Sequence, residues 1–356
     1  MPSTHMTALQ KQSAKAGFSL VEAPLPPEPQ AGEVLIEVAA AGICGTDLHI
    51  DRWTPSYHFM APRLPVTLGH EFSGHVRACG ASVPAALLNR LVTVRPSVVC
   101  GECEACQQQR FDDCVTRRGI GVARHGAFAR WVSVPARNCV PVPEEVSPLV
   151  AALGEPLTVS HEAVRTAEIR PGDKVLVLGP GNIGQGMALF ARAAGAAQVV
   201  IGGHDDAPRM AVLWAMGFTD LIDFARHNMV EALAEYTRDR KFDVVLEATG
   251  AAQVIAPALA VLKPRGVLVV AGIHAAPVPI DLTALVRQHH QIRASYRAPE
   301  ASWPEVVRFM AAHPEVLAKM VTHQFPLAQA ATAFALAHQR EATKVMLLPA
   351  TEAAPA

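Results

Sequence analysis

Apolar and polar residues alternate in short runs through residues 33–150, as in EVLIEVAAAG and RLVTVRPSVV, and glycine, proline and charged residues interrupt these runs often. Short alternating runs bounded by turn residues are typical of β-strands that bury one face. The pattern therefore predicts a β-rich barrel or sandwich for this part of the chain.

The pattern changes at Pro171. Beyond it, apolar strand-like runs alternate with helical stretches, in the order KVLVLG, IGQGMALFARAAG, QVVIGG, PRMAVLWAMG, FDVVLEATG, AAQVIAPALAVL and GVLVVAG. Such alternation is typical of a parallel βαβ sheet. After about residue 295, WPEVVRFMAAH and KVMLLPA return to a mixed pattern, which indicates that the tail rejoins the first domain.

The composition favours two domains and a neutral small-molecule substrate. A chain of 356 residues is longer than one hydrophobic core usually sustains. Lys and Arg number 31 against 32 Asp and Glu, so no basic field is expected to attract nucleic acid or anionic lipid. We find no signal-like apolar segment at the start and no uninterrupted apolar run of about 18 residues. We therefore expect a cytoplasmic protein that binds neither nucleic acid nor membrane.

A glycine-rich segment, GPGNIG, follows the strand-like run KVLVLG and precedes a helical stretch. This context is typical of a dinucleotide-binding loop, whose glycines allow a tight turn, close approach of the pyrophosphate and helix packing. The predicted cofactor-binding residues are Gly179, Gly181, Asn182, Ile183 and Gly184.

A second segment bears on the choice between NAD and NADP. A carboxylate at the end of the next strand normally binds the ribose 2′-hydroxyl of NAD. Here Gly203 occupies the expected acidic position, with His204, Asp205 and Arg209 after it. The missing carboxylate leaves room for the 2′-phosphate of NADP, whereas Asp205 reaches the ribose if the turn is longer. The sequence leaves both cofactors open.

Four cysteines are closely spaced, as C-x2-C-x2-C-x7-C, in a lobe at about residues 98–116. Cys100, Cys103, Cys106 and Cys114 form this set. Four thiolates at such spacing predict a closed, tetrahedral structural zinc site. The alternatives are four unrelated buried thiols or an iron–sulfur cluster, although ferredoxin-like clusters use other spacings.

A second candidate metal site is scattered along the chain: Cys44 in GICGTDLH, His70 and Glu71 in GHEFSG, and Glu155 in GEPL. A mixed sulfur, nitrogen and oxygen set is typical of catalytic zinc, which acts as a Lewis acid on a substrate hydroxyl. Each residue alone also fits a structural role, and it is their combination that predicts the site.

With these motifs in this order, the chain resembles the zinc-containing medium-chain alcohol dehydrogenase superfamily over nearly its full length. GICGTDLHIDRW is similar to threonine dehydrogenases, whereas GEPLTVSHEAV and MVTHQFPLAQAATAFALA are similar to sorbitol and other polyol dehydrogenases. The resemblance implies an α/β protein with a GroES-like β-rich catalytic domain at 1–157 and a Rossmann doubly wound parallel sheet at 158–295. Residues 296–356 return to the catalytic domain, and a homo-dimer or homo-tetramer is expected.

The resemblance also implies roles for individual residues. Cys44 and His70 are direct ligands of a catalytic zinc, and Glu71 and Glu155 complete the coordination directly or through water. Each chain then holds two zinc ions.

Beside the zinc, the resemblance makes Thr46 the residue that passes the substrate proton toward the cofactor ribose and His49 the residue that hands it to solvent. Arg297 lies near the substrate-contacting arginine of polyol dehydrogenases, at a spacing that differs by about one residue, and a surface arginine is the alternative. Ser97 replaces a histidine of threonine dehydrogenases, which weakens that assignment.

The predicted function is hydride transfer between NAD(P) and a polyol, sugar alcohol or other secondary alcohol. The alternative within the same chemistry is an amino alcohol such as threonine. The alternative from another class is a non-catalytic, crystallin-like zinc protein.

Overall fold

The computed structural model describes residues 4–225 and 228–349. In chain order, its β-strands are β1 His5–Lys11, β2 Ser19–Pro24, β3 Glu33–Gly42, β4 Val66–Thr67, β5 Glu71–Cys79, β6 Leu91–Val94, β7 Ser97–Val98, β8 Arg118–Gly119, β9 Trp131–Pro135, β10 Cys139–Pro141, β11 Lys174–Leu178, β12 Gln198–Gly203, β13 Leu221–Asp223, β14 Phe242–Glu247, β15 Leu262–Val270, β16 Gln291–Ala294, β17 Val321–Pro326 and β18 Lys344–Leu348.

The α-helices are α1 Gly45–Asp51, α2 Glu104–Gln107, α3 Pro148–Ala151, α4 Gly154–Ala167, α5 Asn182–Ala193, α6 Ala207–Ala215, α7 Met229–Ala232, α8 Ala234–Thr237, α9 Ile255–Val261, α10 Leu282–Gln288, α11 Ser302–Ala312, α12 Pro314–Ala318 and α13 Ala330–Gln339. Short 3₁₀ helices lie at Pro55–Arg63, Ala85–Leu87, Phe111–Asp113, Ala136–Asn138, Ala252–Val254 and Leu327–Gln329. None of the helices in the described ranges has the length and hydrophobicity needed to cross a bilayer.

The chain forms two compact units. The first comprises the described residues up to Glu155 together with those from Trp303 onward, and the second runs from Pro156 to Ser302. The sequence predicted the corresponding domain boundaries after residues 157 and 295.

The first unit is built on a seven-stranded sheet in which β10, β6, β5, β3, β18 and β17 follow one another and β9 also pairs with β3. Its pairs are antiparallel except β17 with β18. Along β3 the apolar positions Val34, Ile36 and Val38 are buried while the intervening positions are partly exposed, as the alternation of EVLIEV predicts. This unit is therefore β-rich, and the two chain segments that form it contribute strands to one sheet.

The second unit contains one six-stranded parallel sheet in the order β13-β12-β11-β14-β15-β16. This is the strand order of a doubly wound dinucleotide-binding sheet, so the predicted Rossmann fold is confirmed. All five residues of β11 are buried, which explains why Val175, Leu176, Val177 and Leu178 are apolar without alternation. The order reverses between β11 and β14, and ligands bind at the carboxyl ends of the strands at such a point.

Candidate active site

Cys44 lies where a strand of the first unit turns into a short helix. β3 ends at Gly42, and Cys44 is the N-terminal cap of α1. The Cys44 N–H donates a 2.9 Å hydrogen bond to Asp47 Oδ2, and the Ile43 N–H donates at 2.9 Å to the carbonyl of Val345 in β18. These bonds hold the backbone on both sides of the partly buried Cys44 thiol.

His70 and Glu71 lie where β4 passes into β5. Gly69 precedes them with a φ of +93°, and a Cβ there would lie 2.7 Å from the ring of Phe128, so the turn requires glycine. Both His70 and Glu71 are buried. One donor atom from each of Cys44, His70 and Glu71 lies within 4.8 Å of the others. The structure thus brings together three of the four residues predicted to bind catalytic zinc.

Glu155, the fourth predicted ligand, lies in the first turn of α4 and is not part of that three-residue group. A Cβ on its neighbour Gly154 would lie 2.3 Å from Thr93 Oγ1, so glycine is needed where α4 begins. Burial raises the pKa of Glu155 to about 7, with Glu71 raising it and His70 opposing the shift. Glu155 is therefore close enough to the group to respond to its charges.

Asp47 lies behind His70. It is fully buried, and its Oδ1 is 3.7 Å from His70 Nδ1. Burial lowers the pKa of His70, but Asp47 and Cys44 outweigh that effect and hold it well above its usual value. A carboxylate beside one imidazole nitrogen orients the ring and leaves the other nitrogen for a metal. Thiolate, imidazole and carboxylate together form a donor set that fits catalytic zinc.

Lys344 is a buried charged residue beside Glu71 that the sequence motifs missed. It opens β18, is 3% exposed, and its Nζ donates to Glu71 Oε2 at 2.5 Å and to the carbonyl of Ile43 at 3.0 Å. Burial lowers the pKa of Lys344, but the Glu71 carboxylate outweighs it and raises the pKa. The lysine therefore stays charged and balances Glu71. A lysine that opens the apolar run KVMLL was the only signal in the sequence.

The four predicted structural cysteines also come together. The Sγ atoms of Cys100, Cys103, Cys106 and Cys114 all lie within 4.8 Å of one another, and none forms a disulfide. A hydrogen bond from Thr116, with backbone N–H donors from Cys103 and Glu102, lowers the pKa of Cys100 to about 5. This environment favours a thiolate at Cys100, whereas burial raises the pKa of Cys106 to about 12. The four sulfurs together fit a closed zinc site.

The glycine loop of the second unit joins β11 to α5. Gly179 has a φ of +105°, and a Cβ on Gly184 would lie 1.8 Å from the Gly179 carbonyl oxygen. Gly181 caps α5, which begins at Asn182 and continues through Ile183, and a Cβ at Gly181 would meet no atom within 4 Å. The open space over the start of α5 suits a pyrophosphate held by backbone N–H groups.

At the carboxyl end of β12, Gly203 pairs in register with Asp223 at the end of β13. A Cβ on Gly203 would lie 2.8 Å from Pro180 Cγ and from Met210 Cε, so a side chain there would force its neighbours to move. The next turn places Asp205 at a φ of +53°, and the Asp205 N–H donates to Asp223 Oδ1 at 2.9 Å. Asp223 is a further residue that the sequence motifs missed.

The remaining residues of this turn are His204, Asp206 and Arg209. His204 is exposed, and its N–H donates to Asp206 Oδ2 at 3.1 Å. Asp206 is buried and pairs with Arg209 at 3.3 Å. The positive charge of Arg209 is thus already matched, while the exposed Asp205 adds negative charge.

Thr46 and His49, the predicted proton path, both lie on α1. Thr46 is partly buried, His49 is exposed, and the hydroxyl of Tyr57 donates to Thr46 Oγ1 at 3.1 Å. Although the residue is exposed, partial desolvation of its ring and the charge of Arg52 lower the pKa of His49, so its imidazole is neutral at neutral pH.

Arg297 lies in the second unit, after β16. It has a φ of +63°, and its guanidinium lies 4.5 Å from the ring centroid of the exposed Tyr296. Its predicted contact with substrate stays a prediction.

The chain matches known protein families and individual dehydrogenases along most of its length. The alcohol dehydrogenase GroES-like domain family matches residues 30–144, and the zinc-binding dehydrogenase family matches residues 182–312. The L-threonine 3-dehydrogenase of Bacillus subtilis is 34% identical to this chain, over 98% of this chain and 100% of that protein. The D-arabitol-phosphate dehydrogenase of Enterococcus avium is 29% identical, over 90% of this chain and 91% of that protein.

Solved structures share the fold. An alcohol dehydrogenase from Escherichia coli CFT073, complexed with NADH, superposes with a TM-score of 0.87 at 27% identity, covering 97% of this chain and 100% of that chain. The similarity therefore extends over both units.

Proposed function

This chain belongs to the zinc-containing medium-chain alcohol dehydrogenase superfamily, and we propose that it oxidises a secondary alcohol of a polyol or sugar alcohol to the ketone, with NAD accepting the hydride. One observation carries this proposal. A thiol, an imidazole and a carboxylate lie within 4.8 Å of one another at the start of α1 and β5, where Thr46 is two residues from Cys44.

Cys44 and His70 would hold the catalytic zinc, and Glu71 and Glu155 would complete its coordination or exchange in it. Lys344 balances the charge of Glu71, and Asp47 orients the His70 ring. When bound, zinc lowers the pKa of the substrate hydroxyl and so favours its ionisation. The four-cysteine lobe would hold the structural zinc and would take no part in the reaction.

Thr46 accepts the proton of the substrate hydroxyl and passes its own proton toward the cofactor ribose. His49 then takes up the proton and exchanges it with water, since it is exposed and its lowered pKa leaves it neutral. This path moves a proton out of a partly buried site without a charged intermediate on Thr46.

For the cofactor, Gly179, Gly181 and Gly184 support binding of the pyrophosphate at the start of α5. NAD is favoured over NADP because Asp205 and Asp223 put negative charge at the end of β12, while Arg209 is paired with Asp206. That charge repels a 2′-phosphate.

The substrate class is tested by a screen of polyols, sugar alcohols and amino alcohols with NAD and NADP, following reduced cofactor at 340 nm. The proposal predicts turnover of a polyol or sugar alcohol. L-Threonine is the second candidate, since the Bacillus subtilis relative is an L-threonine 3-dehydrogenase. Turnover of threonine with none of any polyol would overturn the first assignment in favour of the second.

For assembly we propose a homo-dimer formed through the outer edge of the second unit's sheet. β16 is an edge strand, paired only with β15 among the described strands, and such an edge presents free backbone groups to a second copy. Large apolar side chains are exposed around it: Ile273, Ile280, Leu282, Val286, Ile292 and Tyr296. Pairing of β16 with its symmetry mate in a two-fold dimer satisfies the edge and covers these residues.

A further inference from the structure

Tyr57 lies in the 3₁₀ helix that follows α1, in a loop of the first unit whose backbone is fixed by a hydrogen bond and by packing against the core. Trp53 reverses the chain with a φ of +53°, and the Tyr57 N–H donates to the carbonyl of Thr54 at 2.9 Å. Three residues further on, Met60 is fully buried in the core. The loop thus has a defined path, which places the Tyr57 ring back over α1.

Tyr57 contacts both residues of the proposed proton path. Its hydroxyl donates to Thr46 Oγ1 at 3.1 Å. Its ring stacks on that of His49, with centroids 6.1 Å apart and planes inclined by 18°. The tyrosine is partly buried, so its hydroxyl is directed toward Thr46 by packing as well as by the hydrogen bond.

A threonine hydroxyl has one proton and two lone pairs. Because Tyr57 donates to Thr46, it occupies one lone pair and leaves the second lone pair and the Thr46 proton for other partners. During alcohol oxidation, that second lone pair accepts the substrate proton while the Thr46 proton leaves toward the ribose. The O–H bond of Tyr57 stays intact throughout, so the tyrosine neither gains nor loses a proton.

We infer that Tyr57 is a positioning residue that sets the direction of proton transfer through Thr46. This inference rests on the proposed function, because it requires Thr46 to carry the substrate proton. It also assigns a role to the 53–64 loop, which has no metal ligand or cofactor motif.

The first test is Tyr57→Phe, which keeps the ring stacked on His49 and removes only the hydroxyl. Loss of one orienting hydrogen bond predicts a fall in kcat for alcohol oxidation of about tenfold. The melting temperature and the KM for NAD are expected to stay unchanged. The matched control is Tyr236→Phe, in the second unit, which is expected to keep wild-type kcat. An unchanged kcat in Tyr57→Phe would overturn the inference.

The second test places Tyr57→Phe in a Thr46→Ala background. If Tyr57 acts through Thr46, its substitution has no further effect there, so the two losses are not additive. Equal losses from Tyr57→Phe in both backgrounds would show that the tyrosine acts by another route. Wild-type turnover in Thr46→Ala alone would instead overturn the proposed proton path itself, so the two failures are distinguishable.

Discussion

At the scale of single residues, the proposed proton path predicts that His49 sets how alcohol oxidation depends on pH. It accepts a proton only when neutral, and burial and Arg52 lower its pKa. The oxidation rate should therefore fall as pH drops through a midpoint below about 6.5, the unperturbed histidine value. His49→Gln should slow oxidation near neutral pH by about 10²-fold and remove this midpoint. Stopped-flow rates from pH 5 to 8, in steps of roughly half a pH unit, measure both effects.

Arg52→Gln is the control for His49. Removing that positive charge should raise the pKa of His49 and move the midpoint to higher pH while keeping the maximum rate. An identical pH profile in wild type and His49→Gln would assign the titration to another group.

Residue identities were predictable where chemistry is concentrated in short motifs. Cys44, His70 and Glu71 each lie in a recognisable segment, and the structure brings them together. Lys344 was not predictable, because its partner Glu71 is 273 residues away and only the fold makes them neighbours. Tyr57 lies in an irregular loop without periodicity, so no pattern pointed to its bond with Thr46.

At the scale of elements, the four-cysteine lobe should depend on metal for its folding. Its Sγ atoms are clustered, and the apolar side chain of Val115 beside Cys114 is 84% exposed rather than packed in a core. Cys103→Ser should reduce bound zinc from about two ions per chain to about one. It should also lower the melting temperature by roughly 4–8 °C, equivalent to about 2 kcal/mol for a domain of 150–250 residues.

Metal analysis and thermal unfolding measure these changes. Cys139→Ser is the matched control, since Cys139 is a partly buried thiol outside both clusters. Its zinc content should equal that of wild type. Unchanged zinc in Cys103→Ser would mean that the lobe is not a metal site.

The turn after β12 should set cofactor preference. Asp205→Asn removes an exposed negative charge, and asparagine tolerates the positive φ at this position. We expect the kcat/KM ratio of NADP to NAD to rise about tenfold, or ~1.4 kcal/mol. Asp220→Asn, at the opposite end of β13, is the control and should leave the ratio unchanged. A wild-type enzyme that uses both cofactors equally would refute the assignment.

Element types followed from the sequence more readily than contacts at their ends. KVLVL and QVVIGG predicted β11 and β12, because buried parallel strands are continuously apolar. Asp223 was missed because β13 is only three residues long, and only the parallel register places it beside Gly203. The register is a property of the assembled sheet, so it cannot be read from one strand.

At the scale of the whole molecule, the return of the tail was predictable because the hydrophobic pattern changes after residue 295. The exact boundaries between the units were not predictable. The first boundary, after Glu155, falls inside α4, and the second, after Ser302, falls at the start of α11. A continuous helix gives no break in pattern at a domain boundary.

The proposed dimer through the exposed edge strand β16 can be tested by measuring the mass of the protein in solution. The wild-type protein should have twice the chain mass of 37.9 kDa in light scattering coupled to size exclusion. Val286→Asp, on α10, should shift it toward the monomer, because a charge would be buried at the interface. Trp214→Asp, an equally exposed apolar site on α6, should leave the dimer intact. A dimer unaffected by Val286→Asp would place the interface elsewhere.

Zinc content, NADH binding and turnover of Cys44→Ala together show whether Cys44 belongs to a catalytic zinc site. We expect one zinc ion fewer per chain, unchanged NADH affinity by fluorescence, and turnover reduced by at least about 10³-fold. Cys79→Ala, outside both clusters, should match wild type in all three. Turnover near the wild-type level in Cys44→Ala would show that Cys44 is not a ligand of a catalytic zinc.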